Sequence, residues 1–379
     1  MKKGWEEIIL EDACNVEYGT RVVQKRDGGT IYPVYGGGGA TFFMDTTNRK
    51  DCLVVARFAM SEQCTRFVKG EFFLNDSGLT VQSKDTAKIA QEFLDLQFIY
   101  LNDHIYSLSR GAAQKNLNVP AFRKIKLYYP KSLPEQQRIV AILDKAFTSI
   151  ATAKENAEQN LLNAKELFES YLQNVFENNK WEGKTLEQIS DVFGRGKSKH
   201  RPRNDKKLFG GDYPFIQTGD IRNSEHCVTN YSQTYNEVGL SQSKLWPKGT
   251  ICITIAANIA ETGVLSFEAC FPDSVIGIVV NKELADIDFV EYLLQSFKVN
   301  LQALSKGSAQ DNINLGTFKD KLFPFPPVKK QQQIVKKLNS LSAETKKLEG
   351  IYQQKINDLE ELKKSVLEKA FKGELKMVN

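Results

Sequence analysis

Five cations fall within nine residues at Arg195, Lys197, Lys199, Arg201 and Arg203, interleaved with Gly196, Ser198, His200 and Pro202. Glycine and proline place such a run in an exposed loop. Lys and Arg at this density displace the counterions condensed on a phosphate backbone, so the loop suits a polyanionic partner. A solvated loop with no partner is the competing reading. Near the start of the chain, the matching place after Tyr18-Gly19 holds Arg21, Lys25 and Arg26 before Gly28-Gly29. Two such places in one chain favour the functional reading. Gln217, Thr218, Asp220 and Arg222 follow an expected strand at 213–216. Arg suits guanine and Gln suits adenine in a major groove. Turn and cap bonding accounts for this stretch equally well. Arg57 follows an expected strand at 53–56 and points to nucleic acid or to a core carboxylate. The run Gly36-Gly37-Gly38-Gly39 allows close approach of backbone to a phosphate, or makes a plain tight turn.

Catalytic patterns are weak by comparison. His104, His200 and His226 are isolated in the sequence, so neither a metal site nor a triad is suggested. Gly194-Arg195-Gly196-Lys197-Ser198 lacks the earlier glycine of a phosphate loop, because position 191 is Asp. The adenine-methylation motif Asn/Asp-Pro-Pro-Tyr/Phe does not occur. Pro272-Asp273 has no Glu-x-Lys nearby to complete a nuclease site. No cofactor and no metal are expected.

The elements that position these residues come from a duplication. Gly111-Ala112-Ala113-Gln114-Lys115-Asn116-Leu117-Asn118 recurs as Gly307-Ser308-Ala309-Gln310-Asp311-Asn312-Ile313-Asn314. Gln136-Gln137-Arg138-Ile139-Val140 recurs as Gln331-Gln332-Gln333-Ile334-Val335, and Trp5 and Leu10 echo Trp181 and Leu186. Each half is one globular segment followed by one long helical segment: 1–133 and 134–179, then 180–328 and 329–379. The Gln114/Asn116/Asn118 and Gln310/Asn312/Asn314 sets read as ordered loops.

In the first helical segment apolar residues fall at Ile139, Leu143, Ala146, Ile150, Ala153, Ala157, Ala164, Leu167 and Tyr171. In the second they fall at Ile334, Leu338, Leu341, Thr345, Leu348, Tyr352, Leu359, Leu362 and Val366. Steps of three and four make a coiled-coil seam, interrupted in each copy at Asn160 and Lys355. The globular segments read as mixed α/β, with buried strands at 53–56, 251–255 and 275–280 and helical spacing at 93–100 and 289–297. The glycines around Arg195 read as loop. The fold class expected is α+β: two mixed α/β heads joined by two long antiparallel helices, with an internal pseudo-twofold duplication.

Of 379 residues, 41% are hydrophobic and 26% charged, as in a globular protein. No run of about 18 apolar residues occurs, so no membrane partner is expected. Six scattered Cys form no CxxC pair, which argues against a disulfide scaffold and for a cytoplasmic, reduced protein. The net charge is +5, unevenly spread: +3 over 1–133 (18 basic, 15 acidic), −3 over 134–179 (4 and 7), 0 over 180–328 (17 and 17) and +5 over 329–379 (12 and 7). An acidic helix beside a basic one suits mutual pairing.

Taken in order, these features resemble the specificity subunit of type I restriction-modification systems, end to end. The two Gly-x-Ala-Gln-x-Asn-(Leu/Ile)-Asn motifs, Pro134-Glu135-Gln136-Gln137-Arg138-Ile139-Val140 and the two spacer helices carry the resemblance. So do Tyr32-Pro33-Val34-Tyr35 before the glycine run and Tyr213-Pro214-Phe215-Ile216-Gln217-Thr218-Gly219-Asp220-Ile221. Val328-Lys329-Lys330-Gln331-Gln332-Gln333 departs from the Pro-Glu-Gln-Gln start of the second helix. The resemblance implies two target recognition domains, each reading half of a split double-stranded DNA sequence. It implies helices that dock two modification (methyltransferase) subunits, with restriction (nuclease-translocase) subunits joining, and a chain that is itself non-catalytic. Other classes remain open: a coiled-coil scaffold that organises enzymes without reading DNA, or a head with its own activity.

Overall fold

The computed structural model describes residues 4–177, 181–256, 258–299, 301–302 and 315–375. The second Gly-x-Ala-Gln motif, 307–314, lies outside the described residues. The chain divides into two units, 1–158 with 353–379, and 159–352.

In the first unit β1 (Trp5–Ile9) pairs antiparallel with β10 (Lys126–Pro130), closing the head onto its own end. Between them run α1 (Leu10–Ala13), β2 (Cys14–Tyr18), α2 (Gln24–Asp27), β3 (Tyr32–Tyr35), β4 (Ala40–Met44), β5 (Arg49–Ala56), β6 (Thr65–Leu74) and β7 (Gly78–Ser83). There follow α3 (Gln91–Tyr100), α4 (Asn102–Ser107), β8 (Ser109–Arg110), β9 (Asn116–Leu117) and α5 (Val119–Arg123). The main sheet has the order β2-β7-β5-β6-β3-β4. The ten-residue β6 serves both halves of it, antiparallel to β5 and then, at Phe73 and Leu74, parallel to β3. Val54, Val55, Leu53 and Ala56 are buried on both faces, which is why 53–56 reads as a continuous apolar run.

The second unit repeats this plan. β11 (Glu182–Lys184) pairs with β21 (Phe323–Phe325) as β1 does with β10. Its strands are β12 (Ser190–Arg195), β13 (Phe209–Phe215), β14 (Cys227–Val228), β15 (Gln233–Tyr235), β16 (Leu245–Trp246), β17 (Ile251–Thr254), β18 (Thr262–Leu265), β19 (Ala269–Cys270) and β20 (Val275–Val280). Its short helices are α7 (Thr218–Arg222), α8 (Glu237–Ser241), α9 (Ile287–Ser296) and α10 (Leu315–Lys319). The order β12-β20-β17-β18 matches β2-β7-β5-β6, and parallel β13–β19 matches β3–β6. Here the long strand is broken into β18 and β19, so two sheets replace one.

The long helices are α6 (Leu133–Glu177) and α11 (Val328–Phe371). In the first unit Ile139 and Leu143 of α6 share a core with Leu367, Ala370 and Phe371 of α11, and Phe371 stacks on Tyr100 at 5.2 Å. Farther along α6, Lys154 meets Glu360 at 2.5 Å, so the two helices run antiparallel. In the second unit Leu172 and Phe176 of α6 share a core with Ile334, Val335 and Leu338 of α11. The expected seam is corrected at three positions: Leu167 (51% exposed), Leu348 (38%) and Leu362 (47%) face outward. Buried positions on α6 follow heptad steps at Leu143, Ile150, Ala157 and Ala164, then change to Leu172 and Phe176 with Phe168 half-buried. Successive steps of four shift the stripe off the heptad register, so Leu167 and Tyr171 rotate out. Leu341 and Leu359 are half-buried.

Each helix is fastened to its head by the same residue. Gln136 is fully buried; its Nε2 donates to the carbonyls of Lys88 and Pro130, and its Oε1 accepts from Ala90 N at 2.8 Å. Gln331 repeats this: Nε2 donates to Pro326 and Leu284, and Oε1 accepts from Asp286 N at 2.8 Å. The departure from Pro-Glu-Gln-Gln at 328–331 therefore leaves the start of α11 intact, because the fastening side chain is kept. Gln136→Leu strands two carbonyls and an N–H in the interior. It is expected to cost about 3 kcal/mol, read as a lowered unfolding midpoint; an unchanged midpoint would show the bonds to be dispensable.

Candidate nucleic-acid interface

The basic loop is aimed by a close backbone contact. Gly194 and Arg195, expected in a loop, complete β12 opposite Gly277 and Ile276, because the continuous ladder of β20 accepts any main chain. The loop begins at Gly196, whose N donates to Val275 O. A Cβ there would lie 2.3 Å from Phe271 O and 2.5 Å from Pro272 O, so only glycine passes. Gly19 holds the equivalent place in the first unit, donating to Gly78 O, and a Cβ on it would lie 1.9 Å from Asn75 O.

A guanidinium follows at each place. Arg195 Nε donates to the main-chain carbonyl of Asp273 at 2.7 Å. In the first unit Arg57 donates to the carbonyl of Asp76, the corresponding residue, at 3.3 Å. Arg57 comes from the end of β5 rather than β2, and packs over the rings of Tyr18 and Phe58 at 4.8 and 4.3 Å. The two heads thus deliver the same group to the same site from different strands. The Arg57 loop is stapled by Leu117 N to Arg57 O and Met60 N to Lys115 O, so the 114–118 motif is the ordered loop expected.

Arg21, Lys25 and Arg26 are exposed, but Arg26 is engaged by Asp27 through two bonds of 2.8 and 2.9 Å. Lys197 and Lys199 are exposed and have no ion pair among the described residues. Arg201 folds back on the carbonyls of Ser198 and His200. Arg203 reaches Asp273 at 2.7 Å. The stretch 217–222 is partly helical: Gln217 N donates to Asp220 Oδ2 at 2.8 Å at the start of α7, so Asp220 is spent on the cap. Arg222 donates to Asn258 at 3.2 Å.

Arg203, Gln217 and Thr218 line one open cleft of about 710 Å³, with Ser198, Lys206 and Gln233. Arg195, Lys197, Lys199, Arg201 and Arg222 do not line it. Gln233, whose Oε1 accepts from Gln217 Nε2 at 2.8 Å, and Lys206 were not legible as site residues. Only β13–β15 pairing and the short turn at 206–208 bring them in. Beside the loop, Lys244 lies 3.7 Å above the Trp246 ring; burial and then the nearby Lys197 charge hold its pKa below the ordinary value. An ammonium group whose charge is opposed by a neighbouring lysine favours an anion beside it.

Two of the three histidines, His200 and His226, are not isolated in space. His200 Nε2 is 2.9 Å from Asp205. His226 stacks on Tyr292 at 4.7 Å, with Nδ1 2.5 Å from Glu291 and Nε2 3.4 Å from Asp288. Glu291 is fully buried and also accepts from Thr262 and Gln295. Burial acts to lower the His226 pKa, but hydrogen bonds with Asp288 and Glu291 outweigh it and raise it to about 10. This is a buried ion pair apart from the basic loop.

A head built twice, each copy packed on segments of both long helices and each presenting an anchored guanidinium beside a cationic loop, defines a duplicated recognition protein. The chain belongs to the family of the type I restriction modification DNA specificity domain, matched over residues 2–163 and 178–361. It is thus a DNA-recognition subunit of the type I restriction-modification kind. The putative type I restriction enzyme MjaX specificity subunit of Methanocaldococcus jannaschii is 24% identical over 335 residues, 82% of this chain and 72% of its own length. Two solved structures share the fold. One, from work on complex assembly and conformational transition of the type I R-M system, has a TM-score of 0.78 at 16% identity, covering 99% of both chains. The HsdS subunit from Thermoanaerobacter tengcongensis has a TM-score of 0.60 at 17% identity, covering 99% of this chain and 98% of its own. No helix among the described residues is long and apolar enough to cross a membrane.

Proposed function

We propose that the chain reads a bipartite, asymmetric and gapped double-stranded DNA target, one half-site per head, and performs no chemistry itself. The heads are 1–133 and 180–328, and the helical segments 134–179 and 329–379 space them. The observation that carries this is the shared guanidinium site, Arg57 over Asp76 O and Arg195 over Asp273 O, embedded in heads of one plan but different loops. One plan gives each head the same approach to a duplex; different loops give different words. Arg21, Lys25, Arg57, Arg195, Lys197, Lys199, Arg203 and Arg222 serve as phosphate or base contacts, with Gln217 and Thr218 beside Arg203 in the cleft. The helix pair docks two modification subunits, to which restriction subunits add, in the cytoplasm where the DNA lies.

The test is an exchange. Replacing 180–328 by the corresponding head of another family member, and mapping methylated sites produced with the modification subunits, is expected to change one half-site and keep the other and the gap. Change in both half-sites would overturn modular reading. A wild-type complex that enriches no sequence from a random duplex pool would favour the scaffold reading instead.

A further inference from the structure

Asp273 holds a position that DNA reading alone does not explain. It lies between Pro272 and Ser274, both of which line the cleft. Its carboxylate spans Arg203 Nη2 at 2.7 and 2.9 Å and lies 4.0 Å from Arg201, while its main-chain carbonyl takes Arg195. Three of the five loop cations therefore converge on one residue. A negative charge in a phosphate-facing loop opposes binding. A carboxylate that holds one guanidinium nitrogen of a cleft-lining arginine also restricts that arginine's rotamer freedom, so the guanidinium meets a base edge already oriented.

We propose that Asp273 is a specificity-determining positioning residue: it gives up general affinity for DNA in order to hold Arg203 in the orientation that reads the second half-site. The inference rests on the reading of this head as a DNA reader. The side chain and the carbonyl act separately: Asp273→Ala releases Arg203 and Arg201 but leaves the carbonyl that anchors Arg195. The first unit has Asp76 at the corresponding place, where its carbonyl takes Arg57. No ion pair of the Asp76 carboxylate occurs among the described residues, so Asp76→Ala is the matched control.

The experiment uses the full chain assembled with its modification subunits. Wild type, Asp273→Ala, Asp273→Glu, Asp76→Ala, Arg203→Ala and the Arg203→Ala, Asp273→Ala double variant are each equilibrated with a random-sequence 30-bp duplex pool, and bound DNA is sequenced. For Asp273→Ala, total binding to the pool is expected to rise about twofold to threefold, as one opposing charge is lost. Enrichment at one base position or more of a single half-site is expected to fall about tenfold, the scale of one bidentate base contact. Asp273→Glu restores part of the enrichment, and Asp273→Ala adds nothing in an Arg203→Ala background. Unaltered enrichment at both half-sites, or equal loss at both, overturns the inference and leaves DNA reading standing. If wild type enriches no sequence, the reading and the inference fall together. A lowered unfolding midpoint of Asp273→Ala with no change in the preferred word marks a merely structural residue and also overturns it.

Discussion

Replacing Arg195, Lys197, Lys199, Arg201 and Arg203 together by Gln is expected to weaken DNA binding about a hundredfold near ~100 mM salt and to flatten its salt dependence. Each phosphate neutralised contributes a slope of about −0.9 in log K against log salt. Five independent contacts would remove about 4.5. Arg203 is already paired with Asp273, and Arg201 is folded back on carbonyls, so these two release fewer counterions. The expected loss of slope is therefore about 3. Fluorescence anisotropy with a labelled duplex across a salt series measures it. An unchanged slope would take the loop out of the interface.

Removing His226 is expected to destabilise the second unit by about 3–5 kcal/mol, because it leaves the fully buried Glu291 without its cation. Thr262 and Gln295 still donate to that carboxylate, which limits the loss toward the lower value. His226→Gln is expected to cost less than His226→Ala. The pH dependence has a definite sign. With the folded pKa raised to about 10 from an ordinary 6.5, the contribution is complete below pH 6.5 and is lost as pH rises through about 10. In the wild type the unfolding midpoint should decline between those values, and in His226→Gln that part of the decline should vanish. A midpoint curve that keeps its shape in the variant would show that the imidazolium is not held by the pair. Asp288, held below its ordinary range by the His226 hydrogen bond despite burial, contributes on the acid side and loses its contribution as pH falls.

Much of the fold was legible because it is written twice. A repeat at this distance identifies two heads and two helices without any energetic argument, and apolar runs of β-branched residues at 53–56 and 275–280 mark strands buried on both faces. The helices were legible from their period, but not the faces at Leu167, Leu348 and Leu362. A seam read from one strand of sequence assumes a constant register, whereas in each unit the head draws the buried stripe of its helix segments toward its own core.

Charge type and spacing in the sequence determined that this chain carries cationic loops on two related heads, since Lys and Arg so dense have no place in a core. Which cations remain available was decided by tertiary structure alone. Asp273 reaches Arg195 and Arg203 from 78 and 70 positions away, and the carbonyl of Asp76 reaches Arg57 from 19, and no one-dimensional pattern reports hydrogen bonds at such separations. The same holds for His226, isolated along the chain yet bound to Glu291 once α9 packs beside β18, because burial forces every charge to find its partner in space.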